Sequence, residues 1–360
     1  MSQAPQPLQN PGQYPSDPGG QLRERPRKKK MSKGKRNTLI ILSILLVIIL
    51  LIVGAVAWYG GALAKKYDEG TNKLTQEQIF GKGNDVADSN GTNVMLLGSD
   101  ARGYENVEDY DKFTGVRSDT LMIAHFPATK GKGVQVVSIP RDTFWQIPGK
   151  SKAKINAAMS WGGIPLTIKT VQDYLKIKID HVAVIDFEGF KDLTDALGGV
   201  DVQSQKAFSS HGQTYTKGTN HLNGEQALWF VRERHAFADG DMQRQRNQQA
   251  FLKAVVKKTV SKDTLTSPSK VSNLVGEFAP YLTVDEDLSA SRIAKLGLGI
   301  GSMTASDITF ATAPISGDGR EAGGQLVLYP DMDRLKDLRK AFDDDTIAEY
   351  AEENGDEHYK

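Results

Sequence analysis

Three short clusters in this chain combine arginine with a carboxylate: Arg117-Ser118-Asp119-Thr120, Ser138-Ile139-Pro140-Arg141-Asp142, and Val231-Arg232-Glu233-Arg234 with Asp241, Arg244 and Gln248 behind it. A guanidinium offers its donors in a rigid fork that matches phosphoryl oxygens. Carboxylates beside such forks would repel the same ligand unless a divalent cation lay between them. The clusters therefore read as arginine plus metal around a phosphorylated substrate. Asp100 and Asp119 are the candidate ligands for Mg²⁺ or Mn²⁺, because two carboxylates, waters and phosphate oxygens form the ordinary shell of such an ion. On spacing alone, a turn cap against Arg117 accounts for Asp119 equally well, and a local ion pair with Asp142 accounts for Arg141.

These residues have to be positioned by strands and helices. Asp100 follows the apolar run Val94-Met95-Leu96-Leu97, with Gly98 allowing a tight exit, and Asp119 precedes the run Leu121-Met122-Ile123-Ala124. Arg141 closes the run from Val134 to Ile139, where Pro140 prevents a helix from continuing. Further strand-length runs are Val182-Ala183-Val184-Ile185 and Ile308-Thr309-Phe310-Ala311. Between the runs, helical spacing covers 164–175, 187–197, 224–229, 242–259, 270–278, 288–298 and 332–342. Strands buried on both faces and alternating with helices predict a three-layer α/β/α sandwich, in which ligands bind beyond the carboxyl ends of the strands. In extended form, residues 231–234 put Arg232 and Arg234 on one face, so that two forks bracket a pyrophosphate. On the helix that follows, Asp241, Arg244 and Gln248 share one stripe, while Arg246 and Gln249 fall towards solvent.

The net charge of +1 over 360 residues hides a strong polarity. Residues 1–37 read as a disordered basic cytoplasmic tail, and 38–60 as a transmembrane helix, since Leu39 to Tyr59 is nearly unbroken Leu, Ile, Val and Ala. The basic run on its amino-terminal side places everything after it outside the cell. A cleaved signal peptide ending at Ala55-Val56-Ala57 is the competing reading, against which the length of the apolar run and of the leader weigh. Residues 61–89 are expected to be an extracytoplasmic tether with a short helix near Thr75 to Phe80, 90–343 a catalytic domain, and 344–360 a solvated acidic tail. With no cysteine, the outer domain has no disulfide and must be held by its own core. The six histidines lack metal spacing, which argues against zinc. Gly297-Leu298-Gly299-Ile300-Gly301 lacks the Lys-Ser/Thr ending of a nucleotide loop.

From Asn93 to Phe342 the chain resembles the LytR-CpsA-Psr family of cell-wall polymer ligases. The matching motifs are Leu96-Leu97-Gly98-Ser99-Asp100, Arg117-Ser118-Asp119-Thr120, Ser138-Ile139-Pro140-Arg141-Asp142, Lys154-Ile155-Asn156-Ala157-Ala158, Asp186-Phe187-Glu188-Gly189-Phe190, Asp195-Ala196-Leu197-Gly198-Gly199-Val200 and Val231-Arg232-Glu233-Arg234 with its helix. The resemblance implies a Gram-positive membrane enzyme that moves an anionic glycopolymer from a polyprenyl-pyrophosphate carrier to a sugar hydroxyl of peptidoglycan, with no nucleic acid as partner. It implies Mg²⁺ on Asp100 and Asp119, and pyrophosphate on Arg117, Arg141, Arg232, Arg234 and Arg244, completed by Lys154 and Gln248. Asp241 would orient the arginines, and Asp119 or Asp241 is the candidate base for the acceptor hydroxyl. A groove for the polyprenyl tail would draw on Phe187, Phe190, Leu193, Leu197, Phe251 and Val255, although the same spacing suits ordinary core. Two further readings stay open: a pyrophosphatase on the same carrier, and a non-catalytic envelope regulator that binds lipid-linked precursors.

Overall fold

The computed structural model describes residues 58–81, 90–99, 118–129, 131–237, 240–259, 261–300 and 308–354. The expected basic tail, all but the last residues of the expected membrane span, Asp100 and Arg117 lie outside these residues, as do the side chains of Asp119, Phe187 and Asp241. Two compact units divide the chain, Met1–Trp58 and Tyr59–Lys360, and the fold below is that of the second. Among the described residues no helix is long and apolar enough to cross a membrane.

The strands are β1 (Asn72–Leu74), β2 (Thr92–Ser99), β3 (Ser118–Phe126), β4 (Gln135–Ser138), β5 (Phe144–Gln146), β6 (Lys152–Lys154), β7 (His181–Asp186), β8 (Val200–Ser204), β9 (Phe208–Ser210), β10 (Gln213–Tyr215), β11 (Gly218–Leu222), β12 (Leu282–Asp285), β13 (Thr309–Thr312), β14 (Ile315–Glu321) and β15 (Gln325–Pro330). The helices are α1 (58–70), α2 (Gln76–Phe80), α3 (Ala157–Leu175), α4 (Phe187–Ala196), α5 (Gly224–Arg232), α6 (Gly240–Thr259), α7 (Lys262–Leu265), α8 (Pro268–Phe278), α9 (Ala290–Ile300), α10 (Met332–Asp343) and α11 (Ile347–Asn354).

Seven strands form one mixed sheet in the order β1-β12-β7-β2-β3-β4-β13. Strand side chains alternate between faces, and the burial follows that alternation. Met95, Leu97, Leu121, Ile123, Val137, Val182 and Val184 join one cluster with Ile164, Ile168 and Val171 of α3 and Leu335, Leu338 and Phe342 of α10. Their neighbours Val94, Met122, Ala124 and Val136 join a second cluster, against Leu252 and Val256 of α6 and Leu296 of α9. A third cluster links β8 and α5 to α6 through Val200, Val202, Phe230, Val231, Phe251 and Val255.

Two expected boundaries need correction. The described part of the segment read as a tether, residues 61–81, belongs to the folded unit: β1 pairs in parallel with β12 through Asn72↔Thr283 and Leu74↔Asp285. Helix α1 is fastened by Tyr59 Oη donating to Pro268 O (2.7 Å), Lys66 Nζ to Ser272 O (2.6 Å) and Tyr67 Oη to Leu288 O (3.2 Å). Of the acidic stretch read as a solvated tail, residues 344–354 are packed, with Ile347 fully buried and Tyr350 nearly so. Asp345 ties that segment to the sheet. One of its carboxylate oxygens lies 2.9 Å from His125 Nε2, and the other accepts from Thr129 N (3.1 Å) and Thr129 Oγ1 (3.0 Å). Apolar residues on one side of a short acidic helix were enough to bury it, a pattern that net charge conceals.

Candidate active site

The candidate site gathers at the carboxyl ends of β2 and β4. A register shift between Gly98 and Ser99 pairs Gly98 with Thr120 and Ser99 with Ser118, so Asp119 is the extra residue of a β-bulge. The backbone of Asp119 is thereby set beside the exit of β2. Among the described residues no group of three or more His, Cys, Asp or Glu is arranged to hold a metal ion.

Beyond β4, Pro140 ends the strand and Arg141 follows. The backbone of this turn is zipped to the entry of α3, with Ile155 N donating to Thr143 O (2.8 Å) and Asn156 N to Arg141 O (3.2 Å). Lys154 is carried back by that zipper, and its Nζ reaches Asp142 Oδ1 at 3.0 Å, while Arg141 Nε stands 3.9 Å from the same oxygen. Asp142 is buried and faces both cations, so it orients Arg141 and Lys154 together. The sequence reading included Asp142 in a motif without giving it this task. The signal was present in the Arg-Asp dipeptide, but its second partner lies twelve residues away, where no local pattern connects them.

The third cluster departs from the expected geometry. Val231 and Arg232 are the last residues of α5, and Glu233 is its C-cap, so Arg232 and Arg234 do not share a strand face. The helix starts from a reciprocal cap in which Asn223 Oδ1 accepts from Gln226 N (2.9 Å) and Gln226 Oε1 accepts from Asn223 N (3.1 Å). Helical continuation then carries Arg232 onto the ring of Trp229, with the guanidinium 5.6 Å from its centroid. Trp229 stacks in turn on His211, with centroids 3.7 Å apart. Arg234 is presented on the loop after the helix, where its Nε donates to His235 Nε2 (3.3 Å).

That loop is shaped by Glu233, whose carboxylate accepts from His235 N (2.6 Å) and Ala236 N (2.9 Å). Burial alone would raise the Glu233 carboxyl, but hydrogen bonds from Ser210 and from the backbone N–H groups of the loop outweigh it and hold the group below its ordinary value. The sign follows from linkage: a depressed carboxyl stabilises the folded loop above its ordinary value of 4.5, and that contribution is lost as pH falls from there through the lowered folded value. An NMR titration of Glu233 is therefore expected to show a midpoint below 4.5, with the His235 and Ala236 amides moving in step. A midpoint at or above 4.5 would refute this account of the loop.

Helix α6 holds the end of α5 with a row of buried amides. Asn247 Nδ2 donates to Phe230 O (3.1 Å) and Gln248 Nε2 to Val231 O (3.5 Å), which serves two carbonyls of the last turn. Arg244 and Gln248 are both buried. Gln249 is not a solvent residue, as expected, but 2% exposed, and its Nε2 donates to Ser138 Oγ (2.9 Å) and Thr312 Oγ1 (3.1 Å). α6 is thus clamped to the ends of β4 and β13 on one flank and to α5 on the other. A polar side chain can be core wherever the ends of strands leave acceptors to be satisfied.

Between the sheet, α4, α6 and α9 lies a cavity of about 550 Å³ with almost wholly apolar walls, including Leu96, Met122, Phe190, Leu193, Phe251 and Val255. Its polar lining includes Arg232 and Gln248. Leu197, expected in such a groove, packs instead in the neighbouring cluster with Val200 and Phe208. A larger cleft of about 920 Å³ opens at the start of β7, among Lys178, His181 and Arg292, at the opposite end of the strand from the arginine site.

The LytR_cpsA_psr family matches residues 57–343. The chain belongs to this family. It is 39% identical over 194 residues to the polyisoprenyl-teichoic acid--peptidoglycan teichoic acid transferase TagU of Bacillus anthracis (strain CDC 684 / NRRL 3495), a match covering 54% of this chain and 61% of the relative. The family member of the same name from Enterococcus faecalis (strain ATCC 700802 / V583) is 32% identical over 272 residues, covering 74% of this chain and 84% of its own length. Among solved family structures, TagV of B. subtilis superposes with a TM-score of 0.60 at 28% identity, covering 72% of this chain and 99% of that one. TagT bound to LIIa-WTA superposes at 0.53 and 27% identity, covering 71% of this chain and 90% of that one. The fold is therefore the mixed α/β fold of the family.

Proposed function

We propose that this chain is a membrane-anchored phosphotransferase that moves an anionic glycopolymer from a polyprenyl-pyrophosphate carrier to a peptidoglycan sugar hydroxyl, forming a phosphodiester. The observation that carries the reading is the joint between two kinds of surface. An apolar cavity of about 550 Å³ has Arg232 and Gln248 in its wall, and Arg244 is buried one helical turn from Gln248. An amphiphile with a hydrocarbon tail and a diphosphate head suits that joint, and a water-soluble nucleotide does not. The names of the two TagU relatives, which specify polyisoprenyl-teichoic acid and peptidoglycan, support the same donor and acceptor.

In this reading Arg141, Arg232, Arg234 and Arg244, with Arg117, Lys154 and Gln248, bind the diphosphate, and Asp142 holds Arg141 and Lys154 in place. Asp100 follows β2 in sequence and Asp119 is the bulge residue of β3, and a pair of carboxylates suits a hard oxygen-seeking cation such as Mg²⁺ or Mn²⁺. When bound, that ion supplies charge neutralisation to the phosphoryl oxygens. The arginine forks fix the diphosphate for in-line attack. Asp119 or Asp241 takes the proton of the acceptor hydroxyl. Helices packed on both faces of the sheet support a three-layer arrangement, and the apolar run at 38–60 supports a single-pass anchor with the amino terminus in the cytoplasm.

The test incubates the full chain with Mg²⁺, a lipid-pyrophosphate-linked glycan and peptidoglycan, and resolves the products. Polymer attached to peptidoglycan is expected; release of sugar phosphate alone would replace the reading with a hydrolase. The cavity has its own probe in Gly297, which lines the rim and where an added Cβ meets nothing within 4 Å. Gly297→Trp is expected to weaken binding of the polyprenyl carrier about tenfold or more by occupying the rim. Thermal stability should be unchanged, and equal binding by the variant would remove the cavity from the carrier's path.

A further inference from the structure

One aromatic ring on this surface has no place in the diphosphate site. Trp161 is 41% exposed, while the other exposed large apolar side chains described beyond Trp58 are aliphatic: Ile293, Leu326 and Met332. It faces a shallow hollow of about 290 Å³ whose other walls are Lys150 and Ser151. Immediately after it α3 breaks. Gly162 leaves the helical region at φ −163°, ψ 21°, and Gly163 stands at φ 62°, ψ −154°, a region open essentially to glycine alone. A Cβ on Gly162 would meet Leu166 at 2.7 Å, so both glycines are needed for the break. The turn that carries Trp161 is therefore set apart from the body of the helix by an unusual backbone conformation.

The chain ties this hollow to the arginine site from both directions. Asn156, bonded through its N–H to Arg141 O, lies five residues before Trp161, about 7.5 Å of helical rise. Lys150 lies four residues before Lys154, in the turn that leads into the hairpin strand β6, a reach of about 13 Å. A group docked on Trp161 is thus within reach of the turn that holds Arg141, Asp142 and Lys154.

We propose that Trp161 is a stacking platform for the acceptor glycan, with Lys150 at its edge; this rests on the transferase reading. A single ring among lysine and serine is too small an apolar patch for a protein interface. It suits a saccharide, which has an apolar C–H face and a hydroxyl rim. Lys150, and the exposed Lys152 in the adjoining strand, complement the carboxylates that peptidoglycan strands carry.

The test compares the unaltered full chain in detergent with Trp161→Ala, Trp161→Phe and Lys150→Ala. Two probes are used: soluble uncrosslinked peptidoglycan strands and a polyprenyl-pyrophosphate-linked saccharide. Trp161→Ala should weaken strand binding about tenfold and raise the acceptor KM, leaving carrier binding and carrier KM unchanged. Trp161→Phe should recover most of the loss, and Lys150→Ala, an exposed change that cannot disturb the core, should weaken strand binding alone. Unchanged strand binding in Trp161→Ala, or an equal loss of carrier binding, overturns the proposal. If the unaltered chain transfers nothing yet binds strands through Trp161, the transferase reading fails and the platform stands.

Discussion

Replacing Arg141 with alanine is expected to lower polymer transfer by about 10²–10³-fold, the loss typical when one preorganised group facing developing charge is removed. The guanidinium sits where β4 ends, next to a proline that stops the strand, and it is aimed by Asp142 from one side. The Asp142 carboxylate, 3.9 Å from Arg141 Nε, keeps Lys154 at 3.0 Å when the guanidinium is gone. Arg141→Lys should not restore activity, since an ammonium cannot reproduce the two parallel donors of a fork. Initial rates with a defined lipid-linked donor, measured beside the unfolding midpoint of each variant, decide the matter. Near-normal transfer by Arg141→Ala would remove this turn from the site.

The second large effect concerns stability. Asp345→Ala is expected to destabilise the fold by about 3 kcal/mol, the scale for breaking a buried ionisable pair by removing one partner. His125 is completely buried and its Nδ1 is matched to Asn93 Oδ1 (2.8 Å), so its other nitrogen would be left facing a void. Thr129 would lose its acceptor for both N–H and hydroxyl. Asp345 also has a φ of 55°, a left-handed conformation that asparagine tolerates better than alanine. Asp345→Asn should accordingly recover part of the loss. Denaturant unfolding measures it, and a change within about 0.5 kcal/mol would show that the acidic segment is no more than surface decoration.

β2, β3, β4 and β7 were legible because their apolar runs fill the interior of the sheet, and β13, at its edge, was legible from its own apolar run beside β4. β1 and β12 were not, because Asn72-Lys73-Leu74 and Leu282-Thr283-Val284-Asp285 mix polar with apolar residues and present no apolar run. Val231-Arg232-Glu233-Arg234 alternates like a strand, yet the capped start at Asn223 and the packing of Phe230 and Val231 prolong the helix across it. Gln249 was misassigned because helical spacing distinguishes faces, not what those faces meet. Here one face meets the open ends of β4 and β13. The residue that aims two of the cations, Asp142, required contacts between distant segments.

The edge pairing of β1 with β12 joins residues about two hundred positions apart. Such a closure is slow in principle, since loop entropy must be overcome before the pairing rewards it. A chain that emerges amino terminus first therefore presents Asn72–Leu74 long before Leu282–Asp285 has been synthesised, and α11 later still. Until then the early segment is an unpaired strand, a target for chaperones or for misassembly.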